Sequence, residues 1–230
     1  MLEFLSGSTY FAVTLALVVY AFTDALQKRV KSPLLNPLVV SSAVVIIVLL
    51  VLDIPNEDFQ AGCQVLNYLL TPATICLSIS FYEKFQALKH YLPAVIAGVL
   101  AGIVCSLGSV YILCSLCGLD RVITLSLLPK SITTAIGVAL SSEIGGIAAI
   151  TTVAICITGN LGNMLGPALC KLLRIDDEIA RGVAFGTASH VIGTSKAMEL
   201  SQLSGAVSSL SLTIAGIVTC VLLSFLAQYL

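Results

Sequence analysis

Lys130 asks more of its surroundings than any other residue. It stands in Leu128-Pro129-Lys130-Ser131-Ile132-Thr133-Thr134, between long apolar runs. A lysine at membrane depth costs about 3 kcal/mol on insertion scales, so its presence needs a functional or electrostatic reason, such as a ligand or a buried ion pair. A second polar centre lies 60 residues on, in Gly186-Thr187-Ala188-Ser189-His190-Val191-Ile192-Gly193-Thr194-Ser195. The candidate substrate-binding set is therefore Lys130, Ser131, Thr133 and Thr134 at the first centre and Ser189, His190, Thr194 and Ser195 at the second. Both centres are rich in donors and contain no carboxylate. With the positive ends of broken helices added, that chemistry suits a small carboxylate anion. It does not suit a hydrolytic triad, because no acidic residue accompanies His190 in its motif and no nucleophile elbow is present. No Walker A sequence is present either, so no ATP-driven pump is encoded here. The reading is of a non-enzyme with no cofactor or metal. His190 reads equally well as a hydrogen-bonding residue between neighbouring helices.

The elements that must hold these residues follow from composition. Of 230 residues 58% are hydrophobic and only 10% charged, and the mean hydropathy is +1.06. This describes an all-α polytopic membrane protein in contact with the bilayer over much of its surface. A hydrocarbon core of about 30 Å takes roughly 20 residues per helix, which allows at most about eight crossings. The net charge of −1 and the lack of a basic patch argue against nucleic acid. Glu3, with no basic residue before the first apolar run, argues against a cleaved signal peptide. The 8 cysteines sit singly in or beside apolar segments and read as small buried hydrophobes, Cys114-x-x-Cys117 included.

In chain order, the first apolar segment spans about Thr9 to Leu26 and ends in the cationic Gln27-Lys28-Arg29-Val30-Lys31, a cytoplasmic signal. Asp24 and Lys28 read as an interface pair. Pro33 and Pro37 lead into a second helix from Leu38 to Leu52, followed by an acidic turn from Asp53 to Asp58. A third segment, Gly62 to Tyr82, carries a proline kink at Thr71-Pro72-Ala73-Thr74, and a fourth runs from Leu92 to Leu116 with Gly98, Gly102 and Gly108 as close-packing positions.

From residue 119 onward the charges conflict with simple crossings. If residues 121–146 and 147–169 each crossed fully, Lys171, Arg174 and Arg181 would lie outside, against the positive-inside tendency. The conflict vanishes if residues 121–146 enter and leave on one side, breaking at Pro129-Lys130-Ser131 and ending at Gly145-Gly146. The chain also resembles itself at an offset of 60: Arg121/Arg181, Ile132/Ile192, Thr134/Thr194, Leu140/Leu200, Ser141/Ser201 and Gly145/Gly205 coincide, and Lys130 falls on His190. A hairpin plus one crossing has an odd number of crossings, so the second copy is expected to be inverted. The expected architecture is one membrane domain over residues 1–230. Residues 1–118 form N-terminal helices, and 119–170 and 179–230 form inverted repeats, giving about six full transmembrane helices and two re-entrant broken-helix hairpins. Eight plain spans are the alternative. Gly159, Gly162 and Gly166 read as a packing face, with Asn160 and Asn163 beside it. Lys196 and Glu199 read as a structural pair.

The motifs Leu128-Pro129-Lys130-Ser131-Ile132-Thr133-Thr134, Ile144-Gly145-Gly146, Ala180-Arg181-Gly182 and Gly186 through Thr194 resemble those of the LrgB/CidB family. Pro33-Leu34-Leu35-Asn36-Pro37 and Leu70-Thr71-Pro72-Ala73-Thr74 extend the resemblance over nearly the whole chain. It implies a multi-pass protein of the bacterial inner membrane. Such proteins are called antiholin-like and are associated with murein hydrolase export and lysis, beside a small LrgA/CidA holin-like partner. The family also includes transporters of pyruvate and a plastid glycolate/glycerate translocator, which implies a small carboxylate solute. A homo-oligomer is compatible with either role. Two departures stand out: Ala135 where the family often has proline, and Asn160 and Asn163 where apolar or small residues are expected.

Overall fold

The computed structural model describes residues 8–30, 37–66, 68, 69, 72, 76 and 91–229, and the elements are all helical among them. The chain divides into two compact units, Met1–Cys76 and Leu77–Leu230.

In the first unit, α1 (Thr9–Val30) packs against α2 (Pro37–Val51) and α3 (Asn56–Gly62). Helix α1 runs past the expected end at Leu26, and near that end Lys28 Nζ meets Asp24 Oδ2 at 2.6 Å. Helix α2 has the expected bounds to within one residue. The acidic stretch is only half a turn: Asp53 takes φ 51°, and Glu57 and Asp58 then occupy the first turn of α3, where the helix N-terminus favours negative charge. Gly62 allows close approach to α1, since a Cβ built there would lie 2.7 Å from Ala12 Cβ. The kink expected at Thr71-Pro72-Ala73-Thr74 and the loop from Tyr82 to His90 lie outside the described residues, apart from Pro72 itself.

The second unit holds α4 (Leu92–Leu116), α5 (Arg121–Leu127), a 3-10 turn (Leu128–Ser131), α6 (Thr134–Glu143), α7 (Ala148–Leu172), α8 (Glu178–Leu200) and α9 (Gln202–Leu226). Four helices among the described residues are long and apolar enough to cross a membrane: α1, α4, α7 and α9. With the shorter apolar α2, they make this a multi-pass membrane protein. Helix α9 starts directly after α8, because the Ser201 side chain caps it by accepting from the N–H groups of Leu203 and Ser204.

Both polar centres lie at breaks. After α5, Pro129 leaves helical geometry (φ −81°, ψ 17°), and Ile132 (φ −103°, ψ 174°) and Thr133 (φ −62°, ψ 145°) are extended, so α6 returns alongside. A proline without an N–H and two extended residues suffice to reverse the chain. The return is closed by hydroxyls. Ile147 N–H donates to Ser126 Oγ at 2.7 Å, and Thr151 Oγ1 lies 2.8 Å from the Ser126 carbonyl and 2.6 Å from Ser141 Oγ. Ser126, Ser141 and Thr151 are all fully buried. Helix α8 breaks at Ser189 (φ −132°, ψ 16°) and His190 (φ 43°, ψ −137°). Its two arms fold together there, because a Cβ built on Gly193 would lie 2.7 Å from the carbonyl of Phe185, eight residues earlier. One residue of α9 serves both arms: Ser208 contacts Gly186 through its carbonyl and Thr194 through a 2.8 Å hydroxyl pair.

Helix α4 measures where the hairpins stand. Its first half carries Val95 and Val99 in a cluster with Val183 and Val207, and its second half carries Val110 and Cys114 in a cluster with Leu125, Leu128 and Leu223. Gly98 faces Val183, Gly102 faces Thr187, and Ser106 meets Ser131. The tips of the two hairpins therefore approach each other beside the middle of α4.

Removing the Ser126 hydroxyl takes away the buried acceptor of the Ile147 N–H and a partner in the buried hydroxyl cluster at the base of the hairpin, a loss of about 1 kcal/mol. Ser126→Ala is expected to lower the thermal unfolding temperature of the detergent-solubilised protein clearly more than Ser142→Ala, which deletes an exposed hydroxyl bonded only to Val138 of its own helix.

Candidate functional site

Lys130 sits on the 3-10 turn at the tip of the first hairpin, half-buried, and donates to Ser131 Oγ at 3.3 Å. Ser131 Oγ lies 3.0 Å from Ser106 Oγ of α4. These residues open onto a cavity of about 400 Å³ whose other walls are Gly98, Gly102, Cys105 and Ser109 of α4 and Val183, Ala184, Thr187 and Ala188 of α8. Among the described residues the ion pairs are Asp24–Lys28, Glu178–Arg181 and Lys196–Glu199, and none includes Lys130. The cavity thus presents one cation and several hydroxyls. A small anion fits that donor set by charge and by hydrogen bonding.

The second centre is built differently. His190 is buried, its Nε2 lies 3.0 Å from the Ile155 carbonyl of α7, and its ring rests on Gly159, where a built Cβ would lie 2.6 Å from Cε1. Its φ of 43° is a conformation that a side chain with a Cβ takes only under constraint. Ser189 faces Gly162 and borders a separate, largely apolar space with Gly166, Phe185 and Cys170. Thr194 is fully buried, with its hydroxyl on the His190 carbonyl and on Ser208. Ser195 is exposed and donates to Ile192 O. Thr133 precedes α6 without a side-chain cap bond, and Thr134 is exposed.

Of the sequence-predicted set, the cavity gathers Lys130 and Ser131 only. Ser189, His190 and Thr194 serve the break of the second hairpin, while Thr133, Thr134 and Ser195 point elsewhere. What the second hairpin lends to the cavity is Thr187, one turn before its break. The residues that sequence reasoning passed over are Cys105, Ser106 and Ser109 on α4. Their signal was a polar strip, Ser106-x-x-Ser109, continuing the line of Gly98 and Gly102 at helical spacing. Gly98 and Gly102 were legible only as packing positions, yet they also leave the space that the cavity occupies.

The packing face on α7 is real: Gly159, Gly162 and Gly166 lie directly under His190, Ser189 and Phe185. Asn163 donates to Ile192 O at 3.2 Å, and Asn160 donates to Cys156 O at 2.9 Å within its own helix. Lys196 and Glu199 pair at 2.6 Å, as their spacing suggests. Arg121 Nη2 donates to the Ala227 carbonyl at 2.8 Å, and Arg181 Nε donates to Ser204 Oγ at 3.2 Å, so each hairpin base is tied to one end of α9.

The LrgB-like family matches residues 16–229, a span that includes both hairpins. The chain belongs to the LrgB-like family. It is 35% identical over 214 residues to a holin-like protein CidB of Staphylococcus epidermidis, covering 93% of each chain. It is 37% identical over 216 residues to the Bacillus subtilis protein YwbG, covering 94% of this chain and 96% of that one. It is 32% identical over 222 residues to an antiholin-like protein LrgB of Bacillus mycoides, covering 96% of each. No solved structure matches.

His190→Ala is expected to destabilise the protein, and His190→Gly to be the more stable of the two by about 1–3 kcal/mol, because glycine relieves the positive φ that alanine retains. Thermal unfolding of both variants in detergent measures the order. A reversed order would mean that the backbone strain is negligible.

Proposed function

We propose that this chain is the polytopic component of a holin/antiholin-type system that governs murein hydrolase export and lysis together with a small LrgA/CidA-like membrane partner. The observation that carries this reading is end-to-end kinship: holin-like and antiholin-like relatives align over 93–96% of both chains, so the role in their names concerns the whole fold and not a shared fragment. It predicts that the chain co-purifies with a small holin-like partner from a membrane expressing both, and that cells lacking it change their rate of autolysis. A wild-type autolysis rate in the deletion strain would count against it.

A second reading rests on the Lys130 cavity: transport of small carboxylate anions of the pyruvate, glycolate or glycerate class. Three observations support it. The cation has no carboxylate partner among the described residues, the cavity is large enough for a two- or three-carbon acid, and two broken helices converge on it. The hairpin of residues 121–146 and that of residues 178–200 are then inverted repeats, each followed by one crossing. Their matching contacts favour this: Ser126 meets Thr151, and Gly186, its counterpart at the offset of 60, meets Ser211, the counterpart of Thr151.

Counterflow in proteoliposomes with a panel of two- and three-carbon acids separates the two readings. For a carrier, Lys130→Ala is expected to reduce uptake at least about ten-fold, the loss of one charge-assisted hydrogen bond worth roughly 1.5–3 kcal/mol. Folding and insertion should persist, since among the described residues Lys130 makes a single hydrogen bond, to Ser131, and no ion pair. Uptake indifferent to Lys130, or no uptake beside intact partner binding, leaves lysis control as the role of the chain.

A further inference from the structure

Ser106, Ser131 and Thr187 line two spaces at once. On one side lies the cavity of about 400 Å³ that holds Lys130. On the other lies an inner void of about 10 Å³, near the lower limit for one water molecule, which Ala215 and Thr219 of α9 bound from behind. The three residues come from three separate elements: α4, the tip of the first hairpin and the first arm of the second. They form a partition only because these elements meet.

Ile103, Leu107, Leu128 and Ile132 complete the wall of the void, and the direct contacts among the three polar residues are few. One hydroxyl pair, Ser106 with Ser131 at 3.0 Å, joins α4 to the first tip. Thr187 gives its hydroxyl to the Val183 carbonyl of its own helix at 2.7 Å, and so turns its methyl toward Gly102, where a built Cβ would lie 2.6 Å from Cγ2. A single side-chain hydrogen bond and a methyl resting on a glycine can part without breaking any helix. The buried Thr219 beyond them gives the far wall a hydroxyl.

We propose that Ser106, Ser131 and Thr187 are the constriction of a solute passage. It leads from the Lys130 cavity, between the two hairpin tips, to the face of α9 that carries Thr219, and the Thr187 methyl sets its width. The solute is a small polar species, an anion by preference because it must pass Lys130. The proposal rests on the carrier reading and assigns its narrowest point.

The test is thiol accessibility, which needs no knowledge of the solute. Thr219→Cys in the full chain, in proteoliposomes, is exposed to small membrane-impermeant methanethiosulfonates of either charge, and modification is read by peptide mass mapping so that native cysteines are scored separately. Cys105, in the outer cavity, is the internal control. Thr219→Cys is expected to react slowly alone, several-fold faster with Thr187→Ala, and no faster with Thr187→Val, which keeps the width and removes only the hydroxyl. The anionic reagent is expected to be the faster. Equal reactivity of Thr219→Cys in all three backgrounds, with Cys105 labelling constant, overturns the constriction. If Cys105 labelling changes with Thr187→Ala, Ser131→Ala decides instead, because it opens the same partition from the other hairpin; no gain in Thr219→Cys labelling then overturns the proposal. Failure of the carrier reading is a different result: gated labelling with no counterflow of any acid leaves the constriction standing in a hydrated passage, while counterflow with ungated labelling removes the constriction alone.

Discussion

A backbone that breaks inside an apolar protein must have its freed N–H and C=O groups met by other protein groups, since lipid offers none. Most of the second unit follows from that requirement. At the first hairpin the answer is hydroxyls: Ser126, Ser141 and Thr151 sit fully buried at its base and satisfy the groups that the return of the chain exposes. At the second hairpin the answer combines Thr194 with Ser208 and seats the strained His190 on glycines. The abundance of serine and threonine in so apolar a chain is thus largely structural. It has the effect of concealing the few hydroxyls that face the cavity.

The same requirement divides the two basic centres. Lys130 and His190 stand 60 residues apart in the chain and both mark a tip, yet their surroundings differ. His190 is enclosed, bonded to a carbonyl and held at positive φ, all signs of a residue that stabilises a turn. Lys130 is half-buried and, among the described residues, hydrogen-bonded to a serine alone, at the cavity shared by α4 and α8. The offset of 60 residues therefore joins two breaks whose chemistry differs.

Much of the architecture was legible in the sequence because apolar length and breakers are local properties. Helices α2 and α4 fall within a residue of expectation, and Pro129 announced the first break. The second break carries no proline or glycine at its turning residues, only Ser189 and His190, and it could be placed solely by its offset from the first. The candidate site was half legible. A lysine among apolar residues reveals itself, and Ser131 is its neighbour, but Ser106, Ser109 and Thr187 reach the cavity through the packing of α4 against both tips. No local pattern encodes a meeting of three elements, and the sequence offered too many hydroxyls to choose among. Ser189, Thr194 and Ser195 were natural choices near His190 and were drawn by proximity in the chain to a residue whose ring faces the other way.

The glycine face of α7 carries one more consequence. The first hairpin is pinned to α7 by hydroxyl hydrogen bonds, and the second meets it through two hydrogen bonds, His190 Nε2 with the Ile155 carbonyl and Asn163 with the Ile192 carbonyl, together with close contacts across Gly159, Gly162 and Gly166. A track without side chains lets His190, Ser189 and Phe185 seat against the α7 backbone, so a single methyl added anywhere along it pushes the second hairpin away from the helix to which the first is bonded.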